Sequence, residues 1–328
     1  MFENSNNTAL NTLSKDTVLK SLRAANDQLL PKTDLLQVEQ MLIHQVLWNN
    51  YLHFDLSYTP WSHLGYKICV AAAMSHLAEN SPIAAISIFI SCSSRYSLEA
   101  LETFMRGVYA FGEQHQIPCV LQDINTTKEG IYISASAYGK TVEIAKKEEL
   151  KVGDLIVVTG DLGAAYMGLL LLEREKKIFN ENPDLQPDLE QKNYIVGRHL
   201  KPNLPMDAWA VLKDLDIIPK MVYTVTNGLA KTLIAMDEEL EFSPLIYENK
   251  LPIDPETQSQ CMTFAIDTTT AALHGGEDYE LCFIIDQDDY QAIKQHLDFS
   301  IIGYLSDSVG TPHIITNSGK SQAIKDFN

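Results

Sequence analysis

The sequence predicts a two-domain α/β protein, and three observations carry that expectation. The chain has 328 residues, more than a single hydrophobic core usually serves, so two domains of roughly 150 residues each are expected. Its first half alternates β-branched runs with longer alanine- and leucine-rich runs at helical spacing. Its second half opens on an apolar strand, a glycine turn and a long helix at residues 155–179.

Taken in order, Ser14 is placed to cap a helix from Lys15 to Leu29, with Val18, Leu19 and Leu22 on one face and Pro31 just beyond its end. A strand is expected at Met41 to Leu47. Ser62 opens a helix through Glu79, and Ile83 to Ser91 follows as an isoleucine-rich strand. Ser97 caps a helix to Gln114, after which Ile117 to Gln122 and Ile131 to Tyr138 read as strands. This order makes a sheet with helices on one face. The charged run Lys146 to Glu149, just before Gly153-Asp154, marks a boundary between domains at 1–150 and 151–328. Beyond it come the strand Leu155 to Thr159, the turn Gly160-Asp161-Leu162-Gly163 and a helix from Ala164 to Phe179. A helix N-terminus after a glycine turn is a potential anion site, although most such turns only cap the helix. Asn180 to Tyr194 reads as a surface excursion. Met221 to Val225 reads as a strand, Asn227 to Met236 as a helix, and Asn249 to Thr257 as a loop.

Composition narrows the function. A net charge of -18 repels nucleic-acid phosphates and anionic lipid, and no local basic patch offsets it. The five cysteines, Cys69, Cys92, Cys119, Cys261 and Cys282, are odd in number and never form Cys-x-x-Cys, so reduced buried thiols are expected. Met1 to Leu10 lacks the basic-then-apolar order of a signal peptide, so a cytoplasmic location is the default.

One stretch departs from ordinary core patterning: His274-Gly275-Gly276-Glu277-Asp278-Tyr279-Glu280-Leu281-Cys282-Phe283. Gly275 and Gly276 permit positive φ and close backbone approach, and Tyr279 to Asp286 reads as a strand. A bound ligand and a plain turn with solvated acids both fit this pattern.

His53-Phe54-Asp55-Leu56, Leu64-Gly65-Tyr66-Lys67, Gly160-Asp161-Leu162-Gly163, His199-Leu200-Lys201-Pro202, Leu251-Pro252-Ile253 and 275–281 stand in the order and spacing of one family. From about residue 14 onward the chain resembles the thiamine-monophosphate kinases, of the aminoimidazole ribonucleotide synthase-like superfamily. The resemblance implies an N-terminal α/β domain that dimerises through its sheet, a C-terminal α+β domain, and a cleft between them. In that cleft the γ-phosphoryl of ATP passes to thiamine phosphate with the help of several Mg²⁺ ions.

The chain departs from the family where the metal is held. The paired aspartates near the N-terminus stand as Asn26-Asp27, and the Thr-Asp pair as Gln45-Val46. Asn-Leu-Ser-Asp is replaced around Ala73-Met74-Ser75-His76. Asp-Ile-Ser-Asp-Gly-Leu becomes Thr224-Val225-Thr226-Asn227-Gly228-Leu229, and Gly-Gly-Asp becomes Leu121-Gln122-Asp123. Met105 stands where a nucleotide-side tyrosine is expected. The resemblance therefore leaves Asp27 and Asp123 as candidate Mg²⁺ ligands, and Lys147, Gly160 and Asp161 on the ATP side. His53, Gly275, Gly276, Glu277, Asp278 and Phe327 are left for a ligand like thiamine phosphate. The expectation is a homodimer impaired in Mg-ATP chemistry. The alternatives are an active kinase with a reduced metal site and a structural partner of a genuine kinase, with Ile83 to Ser91 at the dimerising sheet edge.

Overall fold

The computed structural model describes residues 35–38, 40–142, 149–190, 192–307 and 310–326. The expected helix at 15–29, together with Asp27, Lys147 and Phe327, lies outside the described residues.

The first sheet is built from β1 (Leu35–Val38), β2 (Met41–Asn49), β3 (Ile83–Cys92), β4 (Cys119–Thr126) and β5 (Ile131–Lys140), in the order β1-β2-β5-β3-β4. Only β3 and β4 pair in parallel, and helix α2 (Leu98–His115) links them as a crossover. Ser97 caps α2 as its sequence position predicts, its hydroxyl accepting from the Ala100 N–H. Helix α1 (Trp61–Ala78) is buried along almost its whole length, since Leu64 through Met74 are all inaccessible. It crosses α2 closely. A Cβ on Gly65 would lie 2.1 Å from the Phe104 carbonyl oxygen, and one on Gly107 would lie 1.8 Å from that of Ser62. The motif glycine Gly65 is therefore a packing residue.

Strand β3 is interior, paired on both sides, so Ile83 to Ser91 is not a sheet edge as its sequence suggests. The edges are β1 and β4. Ile86, Ile88, Ile133, Ala135 and Ala137 face the helices and are fully buried, while Met41, Leu47, Phe89, Val120 and Tyr132 are exposed.

The second sheet has seven strands: β6 (Leu155–Thr159), β7 (Met221–Val225), β8 (Ser243–Tyr247), β9 (Glu280–Ile285), β10 (Phe299–Ser306), β11 (His313–Ile315) and β12 (Ser321–Ala323). Their order is β12-β11-β8-β10-β6-β9-β7, with β6 and β9 central and buried on both faces. Around it lie α3 (Ala164–Glu181), α4 (Asn193–Leu200), α5 (Ala208–Asp214), α6 (Leu229–Glu239), α7 (Pro255–Phe264), α8 (Thr268–His274) and the short α9 (Tyr290–Ile293). The expected loop at 249–257 gives way to α7, which Asp254 caps with Pro255 in its first turn.

Each sheet draws on one side of residues 141–154, yet one apolar cluster runs through both, joining Ile68, Ile86 and Ala135 to Val157, Phe283 and Ile285. Polar bonds also tie the halves. Lys176 Nζ meets Asp55 Oδ2 at 2.7 Å, Tyr58 donates to Glu173 at 2.7 Å, and Trp209 Nε1 donates to the Leu77 carbonyl at 2.7 Å. Among the described residues no helix is long and apolar enough to cross a membrane.

Candidate functional site

The segment 275–280 joins α8 to β9 and takes an unusual backbone path. Gly276 has φ +74°, and so, against the ordinary preference of L-residues, do Glu277 at +59° and Tyr279 at +55°. Gly275 is not left-handed as expected; its φ is -64°, and its lack of a side chain makes room for Tyr166. With Tyr279 left-handed, the strand begins at Glu280. The consequence is that neighbouring acids point to different places.

Asp278 and Glu280 point inward. Asp278 is fully buried, its carboxylate accepting from the Gly163 N–H at 3.0 Å and the Ala165 N–H at 3.5 Å. It thus occupies the N-terminus of α3, where unpaired N–H groups and the helix dipole favour an anion. The anion site expected at 160–163 is filled by the protein's own carboxylate. Burial pushes the Asp278 carboxyl up to about 7, with Glu280 and Asp161 adding to the rise against the Gly163 N–H and Arg198. Glu280 accepts from Thr159 Oγ1 and from Arg198 at 2.8 Å. Its close approach requires Gly160, where a Cβ would lie 2.4 Å from Glu280 Oε1. Arg198 also donates to the carbonyls of Asp161 and Asp278, both at 3.1 Å. Asp161 accepts from the Tyr194 hydroxyl, and its buried Oδ1 has no partner.

Glu277 points outward. Its carboxylate meets Lys67 Nζ of α1 at 2.7 Å and lies 3.7 Å from His199 Nδ1. Lys67 is almost wholly enclosed, while Glu277 keeps a third of its side-chain surface exposed. Burial, with Lys67 nearby, holds His199 well below the usual histidine range, so its ring is neutral. Glu277 lines a cavity of about 250 Å³ together with Thr226, Asn227, Lys231, His274 and Asp326. Asp278 does not line it.

His53 stands in the turn after β2. Its ring stacks on Trp48 with the planes 9° apart, and its Nδ1 lies 2.9 Å from Asn49 Oδ1. It does not line the Glu277 cavity. A relay of contacts connects the two, because Lys67 Nζ lies 6.0 Å from the Trp48 ring centroid. Asp123 sits apart on the edge strand β4, exposed, accepting from its neighbours' Ile124 N–H and Asn125 Nδ2.

Comparison with known proteins adds the family. The chain is 27% identical to the thiamine-monophosphate kinase of Buchnera aphidicola subsp. Schizaphis graminum over 277 residues, 82% of this chain and 80% of the relative. It is 23% identical to that of Bacillus subtilis over 283 residues, covering 84% and 82%. The chain is similar to thiamine-monophosphate kinases along most of its length. No family model matches. The fold is that of thiamine monophosphate kinase and of HypE, aminoimidazole ribonucleotide synthase-like. A solved complex of AaThiL with AMPPCP and TMP superposes with a TM-score of 0.80 at 22% identity, covering 98% of this chain and all of that one. The HypE–HypF complex contains a second neighbour, at TM-score 0.69 and 17% identity over 94% and 99% of the two chains.

The family resemblance implies Mg²⁺, and the described residues do not fit it. Among them no three His, Cys, Asp or Glu side chains converge as a metal group. Val46 offers no donor, and Thr226 and Asn227 bring neutral oxygens to the cavity. His76 is buried with its ring nitrogens on Ser81 Oγ and the Ala137 carbonyl.

Sequence reasoning missed Lys67, His199, Arg198 and Glu280 as site residues, although all but Arg198 fall inside stretches it had singled out. A buried lysine cannot be told from a surface one by residue type, and nothing local signals that its partner lies 210 residues away.

Proposed function

We propose that this chain binds thiamine phosphate, or a small phosphate ester resembling it, at the Glu277 cavity, and that it has lost the Mg-ATP step of its family. The observation that supports this reading is the charge set of the cavity. Glu277 is held in place by Lys67, while Thr226 and Asn227 stand where metal-binding acids are expected. Phosphoryl transfer between two anions needs cations to offset repulsion. Binding alone does not. Thiamine phosphate carries a cationic ring and an anionic phosphate, and this cavity offers both the Glu277 and Asp326 carboxylates and the Lys231 ammonium. Cofactor use and residual turnover rest on Asp27, Lys147 and Asp123, the last of which stands on a strand edge away from the cavity.

We also infer a homodimer that closes over the open face of the first sheet, where Met41, Leu47, Phe89, Val120 and Tyr132 are exposed. Cytoplasmic placement accords with this reading.

Isothermal titration with thiamine phosphate, alone and with Mg-ATP, followed by assay for thiamine diphosphate, tests the proposal. Binding without product is expected. Steady product formation would reinstate the reduced metal site, and no binding in either mixture would move the role to a structural partner of another subunit.

A further inference from the structure

A second cavity lies where β2 and β3 end and the chain passes from β4 to β5, with a volume of about 510 Å³. Its walls are tied by backbone bonds: Asn50 N–H to the Ile131 carbonyl at 3.3 Å, Ser93 N–H to that of Gly130 at 3.0 Å, and Thr127 N–H to that of Cys92 at 3.0 Å. No residue lines both this cavity and the Glu277 cavity.

Among the described residues, two polar atoms here lack partners. Ser93 is only 6% exposed, and its Oγ makes no hydrogen bond. Asn50 Oδ1 is buried and equally unpaired. Native proteins rarely leave such groups unsatisfied, because each forfeits its hydration without replacement. Two cations join them at the rim. Arg95 donates to the Tyr96 hydroxyl at 2.7 Å, and neither it nor Lys128 forms an ion pair among the described residues, in a chain whose net charge is -18. Tyr51 holds φ +71°, is 73% exposed and lies beside Arg95.

We propose that this cavity binds a small organophosphate, a phosphate monoester that also carries a hydroxyl or amino group. Arg95 and Lys128 take the phosphate through charge-assisted bonds, of which the guanidinium fork is the more directional. Asn50 Oδ1 accepts from the ligand's O–H or N–H, Ser93 Oγ completes the polar wall, and Tyr51 flanks the carbon skeleton. Glu129 at the rim disfavours a larger polyanion.

The test is isothermal titration of the full chain with glycerol 3-phosphate, inorganic phosphate and glycerol. Glycerol 3-phosphate is expected to bind in the millimolar range or tighter, inorganic phosphate more weakly, and glycerol not at all. Arg95→Gln and Lys128→Gln should each weaken glycerol 3-phosphate by about tenfold. Glu277→Gln should leave it unchanged. Ser93→Ala provides a check that a structural role would fail. It should weaken binding while leaving the melting temperature equal or higher, because it removes an unsatisfied hydroxyl. A lower melting temperature with unchanged binding would make Ser93 structural and overturn the assignment. Equal affinity for the two phosphates would overturn the organic half of the proposal, and absence of binding, or binding indifferent to Arg95 and Lys128, would overturn it entirely.

Discussion

Asp278 and Glu277 are adjacent in sequence and opposite in function. Asp278 is sealed against the start of α3, while Glu277 crosses to the first half of the chain and opens on a cavity. The left-handed turn at 276–279 sends them in these two directions. A run of acids after two glycines is therefore two structures laid end to end: an internal network that builds the second half, and an external group that lines a cavity. Variants on the two sides should fail in different ways.

The largest effect is expected at Arg198→Met. Arg198 is the cation of the internal network, and losing it strands the buried Glu280 carboxylate and two carbonyls. Breaking a buried pair in this way costs on the order of 3–5 kcal/mol. Burial already raises the Glu280 carboxyl, so part of the loss should return at acid pH, where that group takes up a proton. Urea unfolding at pH 5 and pH 8 checks both statements. A variant equally destabilised at the two values would mean that Glu280 is uncharged in the native protein.

A smaller effect, confined to pH dependence, is expected at Asp278→Asn. The folded-state value of about 7 lies above the ordinary carboxylate value of 3.8, so between the two the native state holds a proton that the unfolded chain has released. Stability contributed by this group is complete below about pH 4 and is lost as pH rises through about 7. The slope is at most about 1.4 kcal/mol per pH unit, one proton's worth. Asparagine does not titrate and still offers an oxygen to the Gly163 N–H. Stability measured from pH 4.5 to 7.5 should fall with pH more steeply in the parent than in the variant. Parallel curves would mean that Asp278 stays ionised throughout.

How much of this was legible differs between the two sides. The described elements of the first half other than β1 followed from apolar periodicity and the Ser97 cap, and the strand at 155–159 with its following helix came out at almost the observed bounds. Short elements such as α5, β11 and β12 escaped because three to seven residues carry too little periodicity, and tertiary pairing decides them. The stretch at 274–283 announced itself through composition. Its division of labour did not, because a carboxylate's direction depends on φ at Glu277 and Tyr279, residues with no intrinsic preference for the left-handed region. Lys67 was visible as part of a motif, but pairing over such a separation in sequence leaves no local mark.

The smallest stability effect, and the sharpest test of the comparison, is expected at Glu277→Gln. The side chain is a third exposed, and glutamine keeps an oxygen for Lys67, so the loss should be about 1 kcal/mol or less, that of a partly solvated pair. Lys67, nearly enclosed, would then face a dipole instead of an anion. If Glu277 serves the fold as Asp278 does, its removal should resemble that of Asp278 and leave ligand affinity alone. If it serves the cavity, thiamine phosphate affinity should fall about tenfold while the urea midpoint scarcely moves, since a carboxylate facing a cationic ring contributes on the order of 1–3 kcal/mol. Titration and unfolding of the same preparation decide between these outcomes, and only the second is compatible with an outward-facing acid held ready by Lys67.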